Sequence, residues 1–124
     1  MEIKEHRIAD VVVVAPAGPI DFPNAQHLER ALAPLLGRDA ALQALVLDFD
    51  AVGYVSSMGL RVLMVAAKSL RARNARIAVA ALQPIVVEIF DIARFAHVLE
   101  VFPTVRDAIA ALSPATLAAW DAGR

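Results

Sequence analysis

Residues 42–60 read LQALVLDFDAVGYVSSMGL. The first half is a short apolar run, the pattern of a strand buried on both faces. Asp48 and Asp50 sit at its end. Beyond them the apolar residues fall at helical spacing, at Leu60, Leu63, Met64, Ala67 and Leu70, with Arg61, Lys68, Arg71 and Arg73 on the wet side. The basic residues crowd the last turn, where they oppose the negative end of the helix dipole. The stretch is therefore a strand handing over to a helix, and Ser56 and Ser57 stand at the handover.

The alternation continues in both directions. Upstream, Ile3 to Ile8 alternates loosely as an edge strand would, and Ala9-Asp10 turns the chain into the β-branched run Val11–Ala15. The PAGP of residues 16–19 is expected to break that strand. A helical stripe follows at Ala25, Leu28, Leu32, Leu35 and Leu36, with Asn24 as its N-cap and Gly37 as its stop. Pro34 removes a backbone donor and predicts a bent or shortened end. Downstream, Ile77–Ala80 is a third buried strand, and Pro84 opens a helix whose charges are Glu88, Asp91 and Arg94. So narrow a charged line predicts that most of its circumference is covered. HVLEVF, residues 97–102, reads as a last strand, and Thr104 with Asp107 forms a capping-box-like start for a further helix.

This order predicts an α/β domain with a mixed, mostly parallel sheet of four to five strands and about four helices, the first two strands antiparallel. The domain is expected over residues 1–112. Residues 113–124 form a tail or short extra helix that begins at Ser113-Pro114, its Trp120 packing on the domain.

Composition narrows the function. The chain has 124 residues, 59% of them hydrophobic and 20% charged, enough for one apolar core and too apolar for disorder. The net charge of −1 gives no electrostatic footprint for nucleic acid or an anionic membrane. Cysteine is absent, which excludes disulfides and thiolate metal sites. The longest apolar run, VVVVAPAGPI at residues 11–20, is broken by two prolines and falls short of the roughly 20 residues a membrane helix needs. MEIKEHRIAD at the N-terminus lacks the apolar centre of a signal peptide. A cytoplasmic protein is expected, with apolar surface left for a partner and room for a weak homodimer.

Catalysis has little support. His6, His27 and His97 lie in three different elements without metal-ligand spacing, so no metal is expected. Asp48 and Asp50 read as strand-terminating groups. No glycine-rich phosphate loop is present, and no cofactor is expected. YVSSMGL fails the G-x-S-x-G elbow because Val55 holds the first glycine position relative to Ser57. A serine hydrolase would need His97 within reach of Ser57. The reading is a non-enzyme with no catalytic residue.

The two serines admit two accounts. In one, Ser56 or Ser57 accepts a hydrogen bond from an N–H two or three residues on and caps the helix, worth roughly 1 kcal/mol. In the other, the hydroxyl at the helix start carries a phosphate. About half a positive charge and several unpaired N–H groups gather there, so a charge of about −1.5 to −2 is tolerated and is felt by whatever docks on that surface.

From LVLDFDAVGYVSSMGLR through IAVAALQPIVVEIFDIARF, residues 45–95, the chain resembles the STAS domain, above all the bacterial anti-sigma factor antagonists (anti-anti-sigma factors). GPIDFPNA, residues 18–25, resembles the family's other recognisable element, and the likeness covers roughly residues 5–112. The resemblance implies a partner switch. The unmodified antagonist binds an anti-sigma factor serine kinase and so releases a sigma factor. The kinase inactivates it by serine phosphorylation, and a serine phosphatase reverses this. The modified serine lies two positions before the motif glycine, which is Ser57 here, with Asp21 nearby and Asn24 capping the helix after it. The partner surface implied is Asp21, Asn24, Ser56, Ser57, Met58, Gly59, Leu60 and Arg61.

The chain departs from the family pattern at three positions. Ser56 stands where many members have Asp, Met58 where a small residue is common, and Arg94 where a glycine usually ends the third helix, so that helix closes differently or Arg94 takes a strained backbone. The other class implied is a non-switching STAS scaffold, or an accessory subunit of a lipid-transport or stressosome-like assembly. FPNA is also similar to STAS domains of anion transporters.

Overall fold

A computed structural model describes residues 1–37 and 41–123. The elements run β1 (Glu2–Ile8), β2 (Val11–Ala17), α1 (Phe22–Gly37), β3 (Ala44–Asp48), α2 (Ser57–Arg71), β4 (Arg76–Ala80), α3 (Pro84–Ile92), β5 (Glu100–Phe102), α4 (Val105–Leu112) and α5 (Leu117–Ala122). Short 3-10 turns occupy Phe95–His97 and Pro114–Thr116. The five strands lie side by side in chain order. β1 and β2 are antiparallel, and every later pair is parallel.

Strand periodicity sorts the core into two layers. Val12, Val14, Leu45, Leu47, Ile77 and Val79 point to the face covered by α1, α2 and α3. Their alternates Val11, Val13, Ala44, Val46, Ala78 and Ala80 meet Ala108, Ile109 and Trp120 of α4 and α5. Right-handed crossovers between successive neighbours place every connecting helix on one side, which leaves the other to the C-terminal helices. Ala44, Ala78 and Ala80 beneath α4 let it lie close to the sheet.

Several expectations change in detail. β2 does not stop at Pro16 but runs to Ala17, and Pro16 pairs with Ile3. Pairing with β3 ends at Val14, so Pro16 sits where the strand has a neighbour on one side only and a missing donor is tolerated. α1 continues past the exposed Pro34 to Gly37 and is not shortened. On α2 the buried stripe is Gly59, Val62, Leu63, Ala66, Ala67 and Leu70, whereas Met64 is exposed. α3 buries only Val86 and Phe90 and leaves Ile85, Val87 and Ile92 to solvent, against the expectation of a well-covered helix. Its chief neighbour is the short 3-10 turn Phe95–His97, which is too small to cover it. Arg94 takes the strained option, with φ 55° and ψ 38°.

The C-terminal segment is tied to the other end of the chain. Ser113 and Thr116 are buried, their hydroxyl oxygens 2.7 Å apart and 3.2 and 3.1 Å from Asp10 Oδ1, so their two protons link the three oxygens into one cluster closed on the carboxylate. Arg106 on α4 grips Asp121 on α5 through two bonds of 3.0 and 3.1 Å. Trp120 meets His6 edge-on, ring centres 6.2 Å apart. Among the described residues, no helix is long and apolar enough to cross a membrane.

Candidate functional site

Two loops at the C-terminal edge of the sheet build the site. Ile20, just before α1, forms an isolated parallel bridge with Val55, just before α2. Its N–H donates to the Tyr54 carbonyl at 2.8 Å, and its carbonyl accepts from the Ser56 N–H at 2.9 Å. Gly18 N–H donates to the Ala51 carbonyl at 2.9 Å and secures the loop further back. Ile20 and Val55 are buried, so the bridge is anchored in the core and the starts of α1 and α2 are held beside each other.

Gly59 completes this junction. A Cβ at Gly59 would stand 2.8 Å from Ile20 Cγ2 and 2.9 Å from Val55 Cγ1. Only a residue without a side chain lets the first turn of α2 approach the bridge so closely.

The two serines differ in what they do for the helix. Ser56 is the N-cap, its backbone extended and its Oγ accepting from the Gly59 N–H at 3.1 Å. Ser57 is the first residue of α2 and is exposed. Among the described residues no side chain hydrogen-bonds its hydroxyl. The helix therefore starts without help from Ser57. Its amide and that of Met58 belong to the first turn, where no intrahelical acceptor exists.

Around this point the other expected residues take different positions. Asp21, not Asn24, caps α1, accepting the Asn24 N–H at 3.1 Å. Asn24 lies inside the first turn and donates from its side chain to the Pro19 carbonyl at 2.7 Å. Both are partly exposed. Met58 and Leu60 are half-buried against the core, Gly59 is buried, and Arg61 is exposed. Phe22 and Tyr54, which the sequence reading passed over, are 57% and 48% exposed beside the buried bridge residues. Their signal was an aromatic within two positions of each of two buried β-branched residues, Phe22 after Ile20 and Tyr54 before Val55.

His97 does not join the site. It lines a hollow with Arg71 and Ala75 at the far end of α2, about 21 Å of helix from Ser57. The Ser57–His97 pair a hydrolase needs is not formed. Asp48 Oδ1 accepts the Asp50 N–H at 3.1 Å, a local turn at the strand end. Among the described residues no group of three or more His, Asp or Glu side chains could hold a metal ion.

Comparison with known proteins agrees with this architecture. Residues 2–108 match the STAS domain family. BtrV of Bordetella bronchiseptica, a protein named as an anti-sigma factor antagonist, is 34% identical over 113 residues, 90% of this chain and 93% of that one. The crystal structure of an anti-sigma factor antagonist from Mycobacterium paratuberculosis superposes with a TM-score of 0.80 at 26% identity, covering 90% of this chain and 92% of the other. The Bacillus cell fate determinant SpoIIAA in its phosphorylated form shares the fold, with a TM-score of 0.68 at 15% identity over 87% of this chain and 96% of its own. With its sheet order, its bridged helix starts and these matches in hand, the chain belongs to the STAS domain family, among the anti-sigma factor antagonists.

Proposed function

We propose that this protein is a phosphorylation-switched binding module. Unmodified, it docks on an anti-sigma factor serine kinase and so releases a sigma factor. Phosphorylated on Ser57 by that kinase, it lets go, and a serine phosphatase restores it. The chemistry belongs to the kinase and the phosphatase, and the setting is the cytoplasm.

One observation carries this reading: the helix cap rests on Ser56, which leaves the Ser57 hydroxyl exposed and without a structural task. A phosphate placed there adds about −1.5 to −2 charge at a helix start that tolerates it. The docking surface would then include Asp21, Asn24 and the residues from Ser56 to Arg61, with Phe22 and Tyr54 as exposed aromatic anchors. Bringing a dianion into that contact repels an acidic partner surface or must be desolvated against an apolar one. A loss of about 3–4 kcal/mol, two to three decades in affinity, is enough for a switch.

The test is incubation with the cognate kinase and ATP, followed by mapping of the phosphate by mass spectrometry and binding measurements on Ser57→Ala and Ser57→Asp. Phosphate on Ser57, a Ser57→Ala protein that stays bound and a Ser57→Asp protein that does not are the expected results. Phosphate elsewhere, or a Ser57→Asp protein that keeps its complex, would overturn the switch and favour the non-switching scaffold.

A further inference from the structure

The exposed face of α2 carries more than its serine. Ser57, Arg61, Met64 and Lys68 recur at intervals of three and four residues and share one side of the helix. All four are exposed. The helix contains no acidic residue. Arg61 stands one turn after Ser57, and among the described residues its guanidinium makes no hydrogen bond or ion pair. Side chains four apart on a helix have Cβ atoms about 5–6 Å apart, and an acidic group on the N-terminal side with a base on the C-terminal side is the favourable order.

Resting on the proposed phosphorylation of Ser57, we infer that Arg61 is the intramolecular partner of the phosphate. Its planar fork takes two phosphate oxygens, a match a point charge makes less well. The amides of Ser57 and Met58 add donors at the helix start. Lys68 is about 16 Å along the helix from Ser57 and too far to share the contact. The opposing charge is Asp21, one residue beyond the Ile20 carbonyl that accepts the Ser56 N–H. Arg61 thus offsets the carboxylate, holds the phosphate against α2 and keeps it a dianion at neutral pH. The same modification also withdraws the only basic side chain in the first turns of α2 from the surface a partner would meet.

A partner-independent experiment tests this. The full chain is made with phosphoserine incorporated at position 57, and the phosphorus resonance is followed by NMR across pH. An unassisted phosphoserine loses its second proton near about pH 6. The parent is expected to titrate lower, Arg61→Gln to move the midpoint up by at least about 0.3 pH unit, and Arg61→Lys to fall between. Lys68→Gln is expected to titrate like the parent. Equal midpoints for the parent and Arg61→Gln, or an equal shift from Lys68→Gln, would overturn the inference. Because no kinase takes part, failure of enzymatic phosphorylation strikes the switch alone and failure of this titration strikes the Arg61 contact alone.

Discussion

Gly59 and Ile20 approach so closely that a single added carbon at Gly59 would lie 2.8 Å from Ile20 Cγ2. Ile20 is fully buried and Val55, the second neighbour, is 2% exposed, so neither can move aside. In an ordinary helix Gly→Ala is stabilising by about 1 kcal/mol. Here overpacking of about 1–3 kcal/mol opposes that gain and outweighs it. Gly59→Ala is expected to lower the urea midpoint, and a variant as stable as the parent would show that the two helix starts are not packed together.

The serines should separate cleanly in stability measurements. Ser56→Ala removes the acceptor of the Gly59 N–H and is expected to cost about 1 kcal/mol in denaturant unfolding. Ser57→Ala removes an exposed hydroxyl and should stay within about 0.5 kcal/mol of the parent. Equal losses at both positions would mean that the cap is shared.

Arg94 is exposed and sits in the left-handed region, with φ 55° and ψ 38°. For a residue with a side chain that conformation costs roughly 1–2 kcal/mol, and glycine gives back part of the gain through its freer unfolded chain. Arg94→Gly is therefore expected to stabilise the protein by about 0.5–1 kcal/mol, read as a higher melting temperature. A lower one would reveal a contact of the arginine that matters more than its backbone.

Residues 113–124 are expected to behave as an appendage docked on residues 1–112, held through Asp10. Asp10→Ala leaves two buried hydroxyls without their shared acceptor, a loss of about 1–3 kcal/mol. Trp120 is the chain's one tryptophan, so its emission reports on the docking directly. A red shift and faster proteolysis after Leu112 are the expected signs, and unchanged emission would place the anchor elsewhere.

The central strands β2, β3 and β4 were legible because each is apolar on successive residues, and period two then assigns their faces. The motif that names the family was also legible, down to the serine two positions before Gly59. Which serine caps α2 was not, since Ser56 and Ser57 are the same residue type one position apart and only the capping hydrogen bond separates them. Asp21 and Asn24 posed the same ambiguity, as both residue types cap helices. The coverage of α3 depends on the size of the elements packed against it, here a single 3-10 turn, which a helix's own pattern does not contain. The Ile20–Val55 bridge joins residues far apart in the chain, and Gly59 was its one local trace.

The sheet's sequential strand order bears on how the chain is made. As synthesis proceeds from the N-terminus, each strand emerges beside a neighbour already in place, and the growing edge is always the newest one. The clasp of Ser113 and Thr116 on Asp10 breaks that order, joining the turn between β1 and β2 to side chains 103 and 106 positions further along the chain. Its closure can come only after all five strands and residue 116 have left the ribosome, which makes it a late seal on a sheet otherwise laid down strand by strand.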